Sequence, residues 1–300
     1  MNTKQTLTFA VACFLAIAQS ALVFGAKEAG GHNTRGSELA KAKQYDAAIA
    51  EFTKAIEANP KDPLGYTNRG SAYRDSGRIA EAIADFTKAI EIAPKEEMAY
   101  RERGNALRMQ NDFDGALADF ETAQQLKPDD PTLPAYRGFA WIGKQQWDKA
   151  IADFDAAIQK NPDDQANYAA RAFAKRSMRR FDEAIADYTT ALEKNPTYEP
   201  NLTRRGYTYA LMQDWDKAIA DYEQALKLKP DDYETVQRLQ YAKGMLAAKN
   251  APPPTPTPTP KPSLITPINI GIALAILIVI AIVVRLLTRG KEEPTSHRIR

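Results

Sequence analysis

The stretch Ala82-Ile83-Ala84-Asp85-Phe86-Thr87-Lys88-Ala89-Ile90-Glu91-Ile92-Ala93-Pro94 decides the architecture of this 300-residue chain. Ala82, Phe86 and Ala89 stand four and then three residues apart, so a helix carries all three on one face. Pro94 closes that helix, because proline cannot supply the N–H that the next turn needs. The stretch recurs at a fixed interval of 34 residues, its proline appearing as Pro60, Pro94, Pro128, Pro162, Pro196 and Pro230 with no insertion between them. A constant period of this length marks a solenoid of stacked supersecondary units. Function is therefore expected on the surface of an array and not in an enzyme pocket.

Aligned on the prolines, the units run 29–62, 63–96, 97–130, 131–164, 165–198 and 199–232. Each has an early small residue, Gly36, Gly70, Gly104, Gly138, Ala172 or Gly206. Each then has an alanine (Ala48, Ala82, Ala116, Ala150, Ala184, Ala218), an aromatic (Phe52, Phe86, Phe120, Phe154, Tyr188, Tyr222) and a second alanine (Ala55, Ala89, Ala123, Ala157, Ala191, Ala225). The small residues let two helices approach closely and the aromatic fills the space between them and the next unit. Asp62-Pro63 and Asp130-Pro131 read as capping acids, each followed by a proline in the first helical turn.

These columns closely resemble the tetratricopeptide-repeat family over residues 29–232. The resemblance implies an all-α, right-handed superhelical solenoid of helix-turn-helix repeats. It also implies that the first helices line a concave groove holding an extended peptide or a partner helix. Residues 233–249 look like the solvating helix that caps such arrays. Unit 1 begins Gly30-Gly31-His32 where others carry Tyr66, Tyr100 and Tyr168, so its first helix is expected to start late. Unit 4 has Pro134 at that place, and unit 5 has Lys175 where Tyr73, Trp141 and Tyr209 stand.

An arginine precedes each small residue (Arg35, Arg69, Arg103, Arg137, Arg171, Arg205), and an acid follows it sixteen residues later (Glu51, Asp85, Asp119, Asp153, Asp187, Asp221). The arginines alone read as an anion-binding ladder. Their strict company with an acid argues instead for a structural pair between the two helices of each unit.

In the family the groove is faced by the residues two, five, six, nine and twelve places into each unit. Here those places include Asn68, Arg74, Arg101, Asn105, Arg108, Tyr136, Phe139, Phe173, Arg176, Arg204 and Tyr207. Aromatics and arginines are enriched at binding hot spots, although three aromatics at one place in successive units also fit plain packing between repeats. The places that grip C-terminal carboxylates elsewhere in the family hold Asn33, Ser37, Asn68, Met98 and Glu102 in one frame. In another they hold Arg101, Asn105, Tyr136, Ala166 and Ala170. Neither frame matches such a clamp, and a mixed acidic and apolar segment is the ligand expected.

The ends differ from the middle. Residues 1–26 combine Lys4, an apolar run from Leu7 to Phe24 and small residues at Gly25 and Ala26, the layout of a secretory signal peptide; an uncleaved anchor is the alternative. Cys13 is the one cysteine and sits within that run, so the repeats have no disulfide. Residues 250–263 are rich in proline and threonine, and polyproline II extends the eleven from Pro252 to Pro262 over roughly 34 Å. Thr255, Thr257 and Thr259 are open to O-glycosylation. Residues 264–288 read as a transmembrane helix whose core, Ile268–Leu287, is long enough for a hydrocarbon layer about 30 Å thick. The tail 289–300 is basic, and with Arg285 it places that end in the cytoplasm and the repeats outside.

A net charge of +2 makes no bulk case for nucleic acid, and two histidines leave little supply for imidazole chemistry. No phosphate loop or nucleophile elbow occurs. No catalytic, metal or cofactor site is therefore expected. The leading reading is a membrane-anchored scaffold that binds other proteins through its groove on the extracytoplasmic side. The alternatives are a structural subunit of an envelope assembly, or the recognition module of an enzyme whose catalytic part is on another chain. The lack of disulfides and a single sequon at Asn201 lean toward a bacterium.

Overall fold

The computed structural model describes residues 25–251 and 267–289. Except for residues 25 and 26, the expected signal sequence lies outside this range. So do the proline- and threonine-rich segment beyond residue 251, with its three threonines, and the tail beyond residue 289.

All regular structure among the described residues is helical: α1 (25–41), α2 (Tyr45–Ala58), α3 (Pro63–Asp75), α4 (Ile79–Ile92), α5 (Glu97–Met109), α6 (Phe113–Leu126), α7 (Leu133–Gly143), α8 (Trp147–Lys160), α9 (Gln165–Ser177), α10 (Phe181–Lys194), α11 (Glu199–Leu211), α12 (Trp215–Leu228), α13 (Tyr233–Asn250) and α14 (Pro267–Arg289). Each of the six second helices ends two residues before its proline, the last helical residues being Ala58, Ile92, Leu126, Lys160, Lys194 and Leu228. The chain forms two compact units, one reaching to Leu246 and one beginning at Ala247. In the first, consecutive helices pack on each other, and α3 also touches α5, α5 touches α7 and α7 touches α9. The result is an all-α solenoid of helix-turn-helix repeats.

The repeated residues build its core. Phe52, Phe86, Phe120, Phe154, Tyr188 and Tyr222 are buried, as are the twelve alanines of the two alanine columns. A Cβ added at Gly36, Gly70, Gly104, Gly138 or Gly206 would stand only 2.6 to 2.9 Å from the aromatic ring of the same unit. That close approach explains the small residue, and unit 5 accommodates Ala172 against Tyr188 in the same core.

The turn between the helices of a unit recurs too. Lys43, Gly77, Asn111, Gln145, Arg179 and Gln213 all have φ between 56 and 85°. At each, the following residue donates to a carbonyl near the helix end, as in Arg78 to Tyr73 at 2.8 Å and Gln146 to Trp141 at 2.9 Å. This is the left-handed, doubly bonded helix end that glycine fills most easily, yet only unit 2 uses glycine.

Two expectations about helix starts are corrected. The first helix of unit 1 starts early and already covers residue 25. Gly30 and Gly31 meet open space and cost about 1 kcal/mol each in a helix, while Ala29 and Asn33 on the same helix are buried. Pro131 does not open α7, which begins at Leu133. A start at Pro131 would put Pro134 deep enough to need the N–H it lacks; starting two residues later leaves Pro134 in the first turn. Asp130 instead accepts from the Thr132 N–H at 2.8 Å. Asp62 does cap its helix, accepting from the Leu64 N–H at 3.0 Å.

In the last turn of the array, α13 lays Leu239, Ala242 and Leu246 against Trp215 and Tyr222. The sequon residue Asn201 is fully buried, so the folded array offers no glycan site there. The second unit contains α14. Its span Pro267–Thr288 has 22 residues and a mean hydropathy of 3.1, and it alone among the described helices is long and apolar enough to cross a membrane.

Candidate partner-binding groove

The arginine columns resolve first, because they decide which charges remain free. Arg69, Arg103, Arg171 and Arg205 each grip the acid sixteen residues on with a two-pronged pair; Arg103 Nε and Nη2, for example, each lie 2.8 Å from an Asp119 oxygen. Arg137 holds Asp153 likewise. Four of them also reach back to the preceding unit, where Thr53, Thr87, Asp155 and Thr189 accept from the other guanidinium nitrogen. The column is thus a structural staple within and between units. Unit 1 departs from it: Glu51 pairs with Lys54 at 2.8 Å and with His32 at 2.7 Å, and not with Arg35.

The expected groove residues fall into two groups. Toward the start of the array their polar groups are consumed internally. Asn68 bonds Asn33 at 3.3 Å. Arg74 pairs with Glu102 and, at 2.9 Å, with Asp75. Arg101 pairs with Glu102 at 3.2 Å and with Asp130 at 2.8 Å. Burial works against the Arg101 charge, but these two carboxylates outweigh it and hold its pKa above that of an ordinary arginine. Burial likewise pushes Asp130 up, and the bonds from Thr132 and Arg101 win and hold its carboxyl below the usual range. Tyr136 stacks on Phe120, centroids 5.8 Å apart, and belongs to the core.

From Arg108 onward the pattern changes. Arg108 bonds only Asn105, at 2.8 Å, and lies 5.7 Å from the Phe139 ring centre; burial without a carboxylate pushes its pKa down. Arg176 sits between two rings, 5.1 Å from Phe173 and 5.1 Å from Tyr207. Arg238 of α13 also lies over Tyr207, 4.6 Å from its ring centre. Arg204 is exposed. Among the described residues neither Arg176 nor Arg204 has an ion-pair partner. Phe139, Phe173, Arg176 and Arg204 line one open pocket of about 410 Å³ between α7, α9 and α11, with Ile142, Ala169 and Ala170 as its apolar wall.

The sequence reading missed several members of this surface. Tyr241 continues the row of Phe139, Phe173 and Tyr207 at the same 34-residue interval and is 63% exposed; extending the register into the cap would have found it. Gln165 and Tyr198 also line the pocket, and nothing in their spacing marks them. Tyr188 adds a hydroxyl where units 1 to 4 have phenylalanine, and that buried oxygen has no hydrogen-bond partner among the described residues.

A family model for the tetratricopeptide repeat matches residues 33–97, 68–131 and 142–199, and a second model for the same repeat matches 202–232. The chain belongs to the tetratricopeptide-repeat family. No curated protein matches it in sequence. Among solved structures it is similar to a chain of the APC/C hetero-tetramer Cut9–Hcn1, with TM-score 0.64 and 18% identity; 72% of this chain is covered but only 43% of that one. It is also similar to Pseudomonas aeruginosa pilF, with TM-score 0.62, 15% identity and coverage of 73% and 98%. A third is YrrB, described as having an unusual peptide-binding site, with TM-score 0.51, 24% identity and coverage of 64% and 97%. These likenesses establish the fold. Repeats of this family serve protein–protein interaction, and the surface described above is where this member differs from one unit to the next.

Proposed function

We propose that this tetratricopeptide-repeat protein is a non-enzymatic, membrane-anchored scaffold that captures a peptide segment or helix of a partner protein in its groove, on the extracytoplasmic side. The observation that carries the reading is the change along the first helices: Arg74 and Arg101 are neutralised internally, while among the described residues Arg108, Arg176 and Arg204 have no ion-pair partner, and the first two of these lie against aromatic rings. A scaffold needs only complementary surface, and a surface of arginine and aromatic side chains is the kind that carries binding energy. The anchor rests on the length and apolarity of α14 and on the basic residues that follow it.

Two experiments test this. Crosslinking in native membranes followed by mass spectrometry should identify partner proteins, and their yield should fall at least about tenfold when Arg108, Phe173, Arg176 and Arg204 are all changed to alanine. Unchanged capture would refute the groove. Protease added to intact cells or spheroplasts should remove the repeats and spare an epitope placed after residue 289; the opposite pattern would refute the orientation.

A further inference from the structure

Tyr188 supplies an observation that packing leaves unexplained. Adding a hydroxyl to a buried ring costs free energy unless the oxygen finds a partner. Units 1 to 4 avoid this with phenylalanine. In unit 5 the ring is fully buried and its oxygen unpartnered among the described residues. Burial raises the phenol pKa, and the charges acting against that rise are Arg176 and Arg204. Those two line the pocket that also carries Phe139 and Phe173. Glu199, Asp232 and Glu234 share the adjoining pocket with these two arginines, but none lies at ion-pair distance from either: Glu199 accepts from Thr203 at 2.7 Å, Asp232 from Thr235, and Glu234 from Arg238.

We propose that the pocket between α7, α9 and α11 takes an acidic side chain of a partner protein, held by Arg176 and Arg204, together with a neighbouring large apolar side chain seated between Phe139 and Phe173. The proposal rests on the protein-binding reading above and narrows it to one pocket and one ligand chemistry. Two guanidiniums with no ion-pair partner among the described residues supply the charge complement, and a desolvated arginine–carboxylate contact is stronger than a neutral one. The apolar wall of Ile142, Ala169 and Ala170 would stay uncovered under an inorganic anion, so an acid with an apolar neighbour fits better than the acid alone.

The test uses the full chain in detergent, immobilised and presented with a displayed library of random peptides. Enriched sequences are expected to carry Asp or Glu within two residues of Phe, Leu, Ile or Trp. A synthetic copy of one, blocked at both ends, should lose about tenfold or more in affinity when its acid is changed to the amide. Against an Arg176→Gln, Arg204→Gln double variant the same change should cost almost nothing, which ties the acid to these two residues. The Arg176→Lys, Arg204→Lys variant should keep part of the preference and so guards against misfolding. Enrichment of peptides without acids, an acid-to-amide change without effect, or equal competition by inorganic phosphate would each overturn the proposal while leaving peptide capture standing. No enrichment over the quadruple alanine variant would overturn both readings.

Discussion

At the scale of single residues, the staple arginines and the turn positions govern stability. Arg103→Ala leaves the buried Asp119 carboxylate without its partner, and about 3–5 kcal/mol should be lost in a urea titration. Arg103→Lys should recover only part of that, since an ammonium cannot make the two-pronged pair and also reach Thr87. The left-handed turn residues predict the opposite sign. Gln145→Gly or Gln213→Gly removes a Cβ penalty at φ 56 or 60°, and each should gain up to about 1 kcal/mol after the added freedom of the unfolded chain is counted. Unit 1 carries a pH signature. The bonds from Lys54 and His32 hold the Glu51 carboxyl down at about 2, against an ordinary value of 4.5. A depressed folded-state pKa stabilises above the unfolded value, so this contribution should be present above pH 4.5 and disappear as pH falls toward 2. Amide exchange in α1 and α2 should show the dependence, and Glu51→Gln should remove it.

Among the elements, the junction of α6 and α7 is built differently from its equivalents. The preceding unit offers Glu121 where other units offer Thr53, Thr87, Thr189 or Asp155, and Arg137 forms no hydrogen bond to it. The Arg137 side chain is correspondingly 34% exposed, against 18 to 23% for the other four staples. Pro134 also shortens α7 to 11 residues, where α3, α5, α9 and α11 have 13. We expect α7 to exchange its amides faster than α5 or α9. Glu121→Thr should restore the missing bond, slow that exchange and add about 0.5–1.5 kcal/mol. The pocket proposed for the acidic segment begins on α7, at Phe139 and Ile142.

For the whole molecule, consecutive helices touch and the first helices touch only the next in line, so stability is a sum of unit and neighbour terms. A lesion in the middle should therefore divide the array instead of melting it uniformly. Phe120→Ala empties a fully buried ring site in unit 3, worth about 3–5 kcal/mol. Amide exchange should then show lost protection in α5 to α7 with α2 to α4 and α10 to α12 largely unchanged, and unfolding monitored by several probes should cease to coincide.

The sequence alone determined the period, the pairing of helices, the buried aromatic and alanine columns and the apolar character of Pro267–Thr288. Each of these depends on residues close together in the chain, repeated often enough to expose the pattern. It also held the arginine–acid pairs, because a constant separation of sixteen residues reports a constant contact. Only the tertiary structure decided which groove arginines are free. Arg74 and Arg176 stand at the same place in their units, yet Asp75 and Glu102 pair with the first and no described carboxylate pairs with the second. The exceptions were likewise hidden: Glu51 captured by Lys54 and His32, α7 opening at Leu133, and the Tyr188 hydroxyl stranded inside the array. A repeat announces what every unit shares, whereas binding depends on how one unit's departure meets its neighbour's, and that meeting exists only in the folded stack.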